Sequence, residues 1–107
     1  NNPYEIIADF ETINNKSEIL KEPHTVLYNP DQIFIGGGAN IKSCILDADD
    51  GPIYIGNNVT ILPGSVVRGP ASILDDSVIS IGSKIRANTT IVPSCKLGGE
   101  VRLVVFQ

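Results

Sequence analysis

Few side chains in this 107-residue chain are equipped for chemistry. His24 is the single histidine. An imidazole can serve as a general base near neutral pH, but Lys21-Glu22-Pro23-His24 reads as linker, so an exposed linker histidine is expected. Cys44 and Cys95 have no base nearby in sequence that would make either a nucleophile. Asp47, Asp49 and Asp50 are spaced carboxylates followed by Gly51, a pattern that can bind a cation, but the long downstream acid of a Ca²⁺ loop is missing. A solvated turn is expected there, and no metal ligand is assigned. Gly36-Gly37-Gly38 follows no strand-helix-strand pattern and has no nearby Lys-Ser or Lys-Thr, so it reads as a corner of the chain and not as a phosphate loop. Arg68 and Arg86 remain. Two guanidinium groups held close together repel unless an anion lies between them, and phosphate is their natural bidentate partner. They form an anion site only if the fold stacks positions 18 residues apart.

The composition bounds the alternatives. With 42% apolar and 19% charged residues the chain suits one globular domain. No apolar run approaches the length of a membrane span, and the start does not resemble a signal peptide. Net charge is −4, and it is uneven: residues 1–54 carry three basic and nine acidic side chains, residues 55–107 five basic and three acidic. An acidic chain without a basic cluster argues against nucleic acid and anionic membrane as primary partners. Two cysteines in a cytosol-like composition do not make a disulfide framework, and a cytoplasmic location is expected. Met is absent even at position 1, so the chain is expected to be the middle piece of a longer product.

The elements that would position these residues follow from a repeat. Steps of six from Ile55 give Ile61, Val67, Ile73, Ile79, Ile85, Ile91, Leu97 and Leu103 without a break. Two residues before each stands a small or β-branched residue, from Ile53 and Val59 through Ser65, Ala71, Ser77, Ser83 and Thr89 to Cys95 and Val101. Two inward residues flanking one outward residue make a minimal β-strand, and the other three must turn. A helix cannot keep a strict period of six on one face. Short strands with regular corners suit a solenoid, three sides to each 18-residue coil. Three positions after each aliphatic lie Asn58, Gly64, Pro70, Asp76, Gly82, Asn88, Ser94 and Glu100, mostly types that tolerate positive φ. Pro70 cannot, so Gly69 is expected to take the unusual dihedrals there.

Upstream the phase changes. Ile35 and Ile41 hold aliphatic slots, with Ala39 and Ile45 in the small inward slots. A coil is expected to begin near Ile35, with a two-residue bulge around Asp47–Pro52. The expected organisation is a non-repetitive junction over 1–34 and an all-β parallel β-helix of about four coils over 35–107. Cys95 then sits in an inward slot, and Cys44 faces outward or into a corner. Thr60, Ser72, Lys84, Thr90 and Lys96 point outward. The outward set Tyr54, Ser72 and Thr90 is no threonine ladder, which argues against an ice-binding solenoid. Leu74 with Val92, and Leu62 with Val78 and Ile81, form apolar columns suited to a partner surface. Leu103, Val105 and Phe106 are expected to be exposed on an uncapped last coil, a further contact between copies.

The aliphatic–x–x–x–small–x pattern resembles hexapeptide-repeat proteins. The segments Gly51-Pro52-Ile53-Tyr54-Ile55-Gly56, Val66-Val67-Arg68-Gly69-Pro70 and Gly98-Gly99-Glu100-Val101 are more specific. They resemble the C-terminal β-helix of bacterial sugar-1-phosphate nucleotidyltransferases, the glucose-1-phosphate thymidylyltransferase-like proteins of Bacteroidetes type. The resemblance implies a left-handed coil and a cytoplasmic homotrimer. It also implies a parent transferase that uses Mg²⁺ in a preceding nucleotidyltransferase domain, with dTTP and glucose 1-phosphate as substrates. The chain itself is then expected to scaffold and oligomerise, with no catalytic residue, no cofactor of its own, and Arg68 and Arg86 as the candidate anion site. The alternative is an acyltransferase-type β-helix using acetyl-CoA, which would place a histidine on a coil. A hexapeptide-repeat carbonic anhydrase would need three histidines around its metal.

Overall fold

A computed structural model of the chain describes Ile19 and residues 22–97. Its strands are two or three residues long, as alternation of one outward between two inward residues requires. In chain order they are β1 (Val26–Tyr28), β2 (Ile33–Ile35), β3 (Asn40–Ile41), β4 (Ile45–Asp47), β5 (Ile53–Ile55) and β6 (Thr60–Ile61). They continue as β7 (Val66–Arg68), β8 (Ala71–Ile73), β9 (Val78–Ile79), β10 (Lys84–Ile85), β11 (Thr89–Ile91) and β12 (Lys96–Leu97). Each strand pairs in parallel with the strand three places along, giving the sheets β1-β4-β7-β10, β2-β5-β8-β11 and β3-β6-β9-β12. The chain is therefore a parallel β-helix with four rungs on each of three faces.

The core is a set of vertical columns. Ile33, Ile53 and Ala71 stack in one, and Ile35, Ile55, Ile73 and Ile91 in another, all without exposed surface. Ile41, Ile61 and Ile79 fill a third. Leu46, Val67 and Ile85 fill a fourth, with the partly buried Leu27 packed at its start. The six aliphatics Ile61, Val67, Ile73, Ile79, Ile85 and Ile91 are all buried as the period requires.

The corners also keep the period. Asn58, Gly64, Asp76, Gly82, Asn88 and Ser94 all have positive φ, between 58° and 82°. Asn and Asp tolerate the left-handed region because their short polar side chains do not crowd the backbone there. Glu100 lies outside the described residues, as do Val101, Leu103, Val105 and Phe106. The corner at Pro70 departs from expectation. Gly69 does not take positive φ, and the chain turns through a cis Gly69-Pro70 peptide bond.

Three further expectations need correction. The ladders begin at Val26 and not near Ile35, because β1 already pairs with β4 and β2 with β5. The period misses this coil because Asn29 (φ 59°) and the 3-10 turn Pro30–Gln32 lengthen its first corner. The stretch from Ile41 to Ile55 holds no single two-residue bulge. The corner at Ser43 (φ 56°) is one residue short, which brings Leu46 inward, and the nine steps from Leu46 to Ile55 then contain three extra residues. Ile45 therefore points outward at 37% exposure, and Cys44 takes the inward slot at 1%. Ser72 also differs. It lies between Tyr54 and Thr90 in its ladder, an outward position, yet has no exposed surface. Its one-carbon side chain does not reach past the larger residues on either side.

The small inward slot has a polar function inside the wall. Ser65 Oγ donates to Leu62 O (2.8 Å) and accepts from the backbone N–H of Ser83 on the next coil (3.2 Å). Ser77 Oγ likewise donates to Val92 O (2.9 Å) and accepts from Cys95 N–H (3.2 Å). A buried hydroxyl costs stability unless it is hydrogen-bonded, and here it bonds coil to coil. Asn57 and Asp75 do the same at another corner, their Oδ1 atoms accepting from the N–H of Gly37 and of Asn57, each at 2.8 Å.

Ile79→Ala is expected to lower the unfolding free energy by about 2–5 kcal/mol through lost burial and a cavity. Lys84→Ala, at an exposed position on β10, should change it by less than about 0.5 kcal/mol. Denaturant melts of both variants check the register. Gly56→Ala tests coil spacing, since a Cβ there would stand 2.9 Å from the backbone nitrogen of Asp75. A loss of about 1–3 kcal/mol is expected in the same melts.

Candidate functional site

The face built from β1, β4, β7 and β10 carries three cations, Arg68, Lys84 and Arg86, while Lys96 stands on β12 of another face. Val66 pairs with Lys84 and Val67 with Ile85, so the next step places Arg86 beside Arg68. Val66, Arg68, Lys84 and Arg86 all point outward on two adjacent rungs, and the stacking expected from their 18-residue spacing is present. Together with Asp50, Ile85 and Ala87 they line an open groove of about 550 Å³.

Asp50 reaches the groove from the extra residues after β4. Asp47 Oδ1 accepts a hydrogen bond from Asp49 N–H (3.0 Å), which folds that segment into a tight turn. Asp50 then contacts the Arg68 guanidinium at 3.4 Å. The two side chains are 71% and 60% exposed, so the pair is a solvated one worth no more than about 1 kcal/mol. The sequence reading missed this pairing and the place of Lys84 in the groove. Spacing alone did not signal it, because the extra residues after β4 set Asp47, not Asp50, opposite Arg68 in the ladder.

The other candidates are dispersed. His24 is exposed in a turn just before β1. Gly36-Gly37-Gly38 is a corner, with Gly38 at φ 75° and the Gly37 N–H held by Asn57. No group of three His, Cys, Asp or Glu side chains among the described residues could hold a metal ion. Cys44 and Cys95 are both free thiols. Cys44 is buried, contrary to the outward or corner position expected, and its Sγ donates toward Lys42 O (3.1 Å) and Leu62 O (3.3 Å). It is the sulfur counterpart of Ser65 in the next coil.

Of the apolar columns, Leu74 and Val92 do stand on adjacent coils, since Leu74 N–H bonds Ile91 O (2.9 Å), and both are half-buried. Leu62 and Val78 are half-buried too. Ile81 is 69% exposed but is level with Pro63, not Leu62, as the bond from Gly82 N–H to Pro63 O shows. A further apolar patch, Val26, Tyr28 and Ile45, lies on the cationic face at its β1–β4 end.

These features define a parallel β-helix with a cationic groove on one face. Comparison with protein-family models, curated proteins and solved structures gives no significant match to the chain.

Burial pushes the Cys44 thiol above its ordinary pKa of 9.0, with backbone contacts at Ser65 and Lys42 offsetting part of the effect. The native state then holds the proton more tightly than the unfolded chain. This contribution to stability is complete below about pH 9 and falls as pH rises toward the native value. Cys44→Ser keeps a small hydrogen-bonding group without that titration. The variant should lose less stability than the parent chain between about pH 8 and 10, in urea melts at each pH.

Proposed function

We propose that this chain is the left-handed β-helical scaffold of a cytoplasmic sugar-1-phosphate nucleotidyltransferase. In this reading a preceding domain, which binds Mg²⁺, transfers the nucleotidyl group of dTTP to glucose 1-phosphate, and the β-helix holds three copies together. The observation that carries the reading concerns the two Gly-Pro pairs within the resembling segments. Gly51-Pro52 and Gly69-Pro70 lie on adjacent coils, with the Ala71 N–H bonded to Pro52 O (3.0 Å). Gly51 packs so closely on Pro70 that a Cβ would stand 2.7 Å from its ring. The two Gly-Pro pairs thus form one continuous corner.

The regular coils supply rigidity and a column-wise surface, which is what an assembly element contributes. No helix among the described residues is long and apolar enough to cross a membrane.

Two measurements test this. The natural gene product should exceed the 11.4 kDa of this chain and release pyrophosphate from dTTP in the presence of glucose 1-phosphate and Mg²⁺. The 107-residue chain should show no such turnover and should sediment as a trimer, a state weakened by Leu74→Lys with Val92→Lys. Acetyl transfer from acetyl-CoA by the chain, lost in His24→Ala, would overturn the reading in favour of an acyltransferase.

A further inference from the structure

The groove on the β7–β10 rungs has a charge pattern that the fold does not need. Three of the four outward positions, Arg68, Lys84 and Arg86, are cationic in a chain of net charge −4. Parallel rungs stand about 4.8 Å apart, close enough for these charges to raise one another's energy. One carboxylate answers them. Asp50 meets Arg68, while Lys84 and Arg86 have no acidic partner among the described residues. The walls beside them, Val66 and Ala87, are apolar. The open groove, about 550 Å³, has room for a small organic ligand to lie along it.

We propose that this groove binds a phosphate monoester whose organic part is a ring or other apolar body. The dianion sits between Lys84 and Arg86. Arg68 joins it by exchanging Asp50 for a phosphate oxygen, so Asp50 is a built-in competitor that sets the affinity. The organic part lies along Val66 and Ala87. Phosphate fits better than a carboxylate because its oxygens can take two guanidinium groups and an ammonium at once. The site does not depend on the nucleotidyltransferase reading, since every residue in it belongs to the described coils.

Amide NMR titration of the 107-residue chain at low ionic strength tests the assignment, with phenyl phosphate and inorganic phosphate as probes. Saturable shifts are expected over residues 66–68 and 84–87, with phenyl phosphate binding more tightly than inorganic phosphate. Lys84→Ala combined with Arg86→Ala should weaken phenyl phosphate by about tenfold or more, and Asp50→Asn should strengthen it by about threefold. All three substitutions lie on exposed positions, and the dispersion of the remaining amide signals verifies the fold. Absence of saturation by about 20 mM phenyl phosphate, a very weak affinity even for a fragment-sized ligand, overturns the proposal. So does equal affinity for the two probes, undiminished affinity in the double variant, or weaker binding in Asp50→Asn.

Discussion

A parallel rung leaves no freedom in where the next coil lies. Each strand offers its N–H and C=O groups to the strands one coil away, as when Gly36 N–H bonds Ile55 O and Gly56 N–H bonds Ile73 O, each at 2.8 Å. An offset of one residue would turn every inward side chain outward. All else in the structure is subordinate to this requirement. The corners must return the chain to the same face, which explains the positive φ at Asn58, Gly64, Asp76, Gly82, Asn88 and Ser94. The interior must accept identical neighbours above and below, which branched aliphatics do well because their stiff side chains stack without rearranging.

The requirement also accounts for the small polar residues beside the core. Ser65 and Ser77 lie where the wall bends, buried beside the aliphatic columns. Each hydroxyl bonds a carbonyl and accepts an N–H from the adjoining coil, so the bend is satisfied within the wall. Cys44 occupies the same place one coil earlier and directs its thiol to carbonyls there. Burial of a thiol therefore needs no separate explanation from burial of the serines.

The regular part of the fold was legible because period six expresses geometry directly: from Ile55 to Ile91 each inward residue could be named from spacing alone. The coil containing Ile41 and Leu46 was less legible. A shortened corner at Ser43 and three extra residues before Ile53 partly cancel, and the sum resembles a single small bulge. Ser72 stands at the outward position alternation gives it, but its burial was not legible, because exposure depends on the size of its neighbours in the ladder. Of the candidate site, Arg68 and Arg86 were legible from their 18-residue spacing. Asp50 was not, because its reach depends on the turn made by Asp47 and Asp49, which spacing does not describe.

The matching registers of β5, β8 and β11 have a consequence for how such a gene can change. Ile53 pairs with Ala71 and Ala71 with Thr89, each step being 18 residues. Duplication or excision of one such unit between Ile55 and Ile91 returns the chain to the same column and leaves the flanking coils in phase. A gain or loss that is not a multiple of six must be absorbed at a corner, as the extra residues carrying Asp50 are. Length in this molecule is thus inherited in whole sides and coils, while irregular insertions accumulate at corners, where they project over a face and can acquire a separate use.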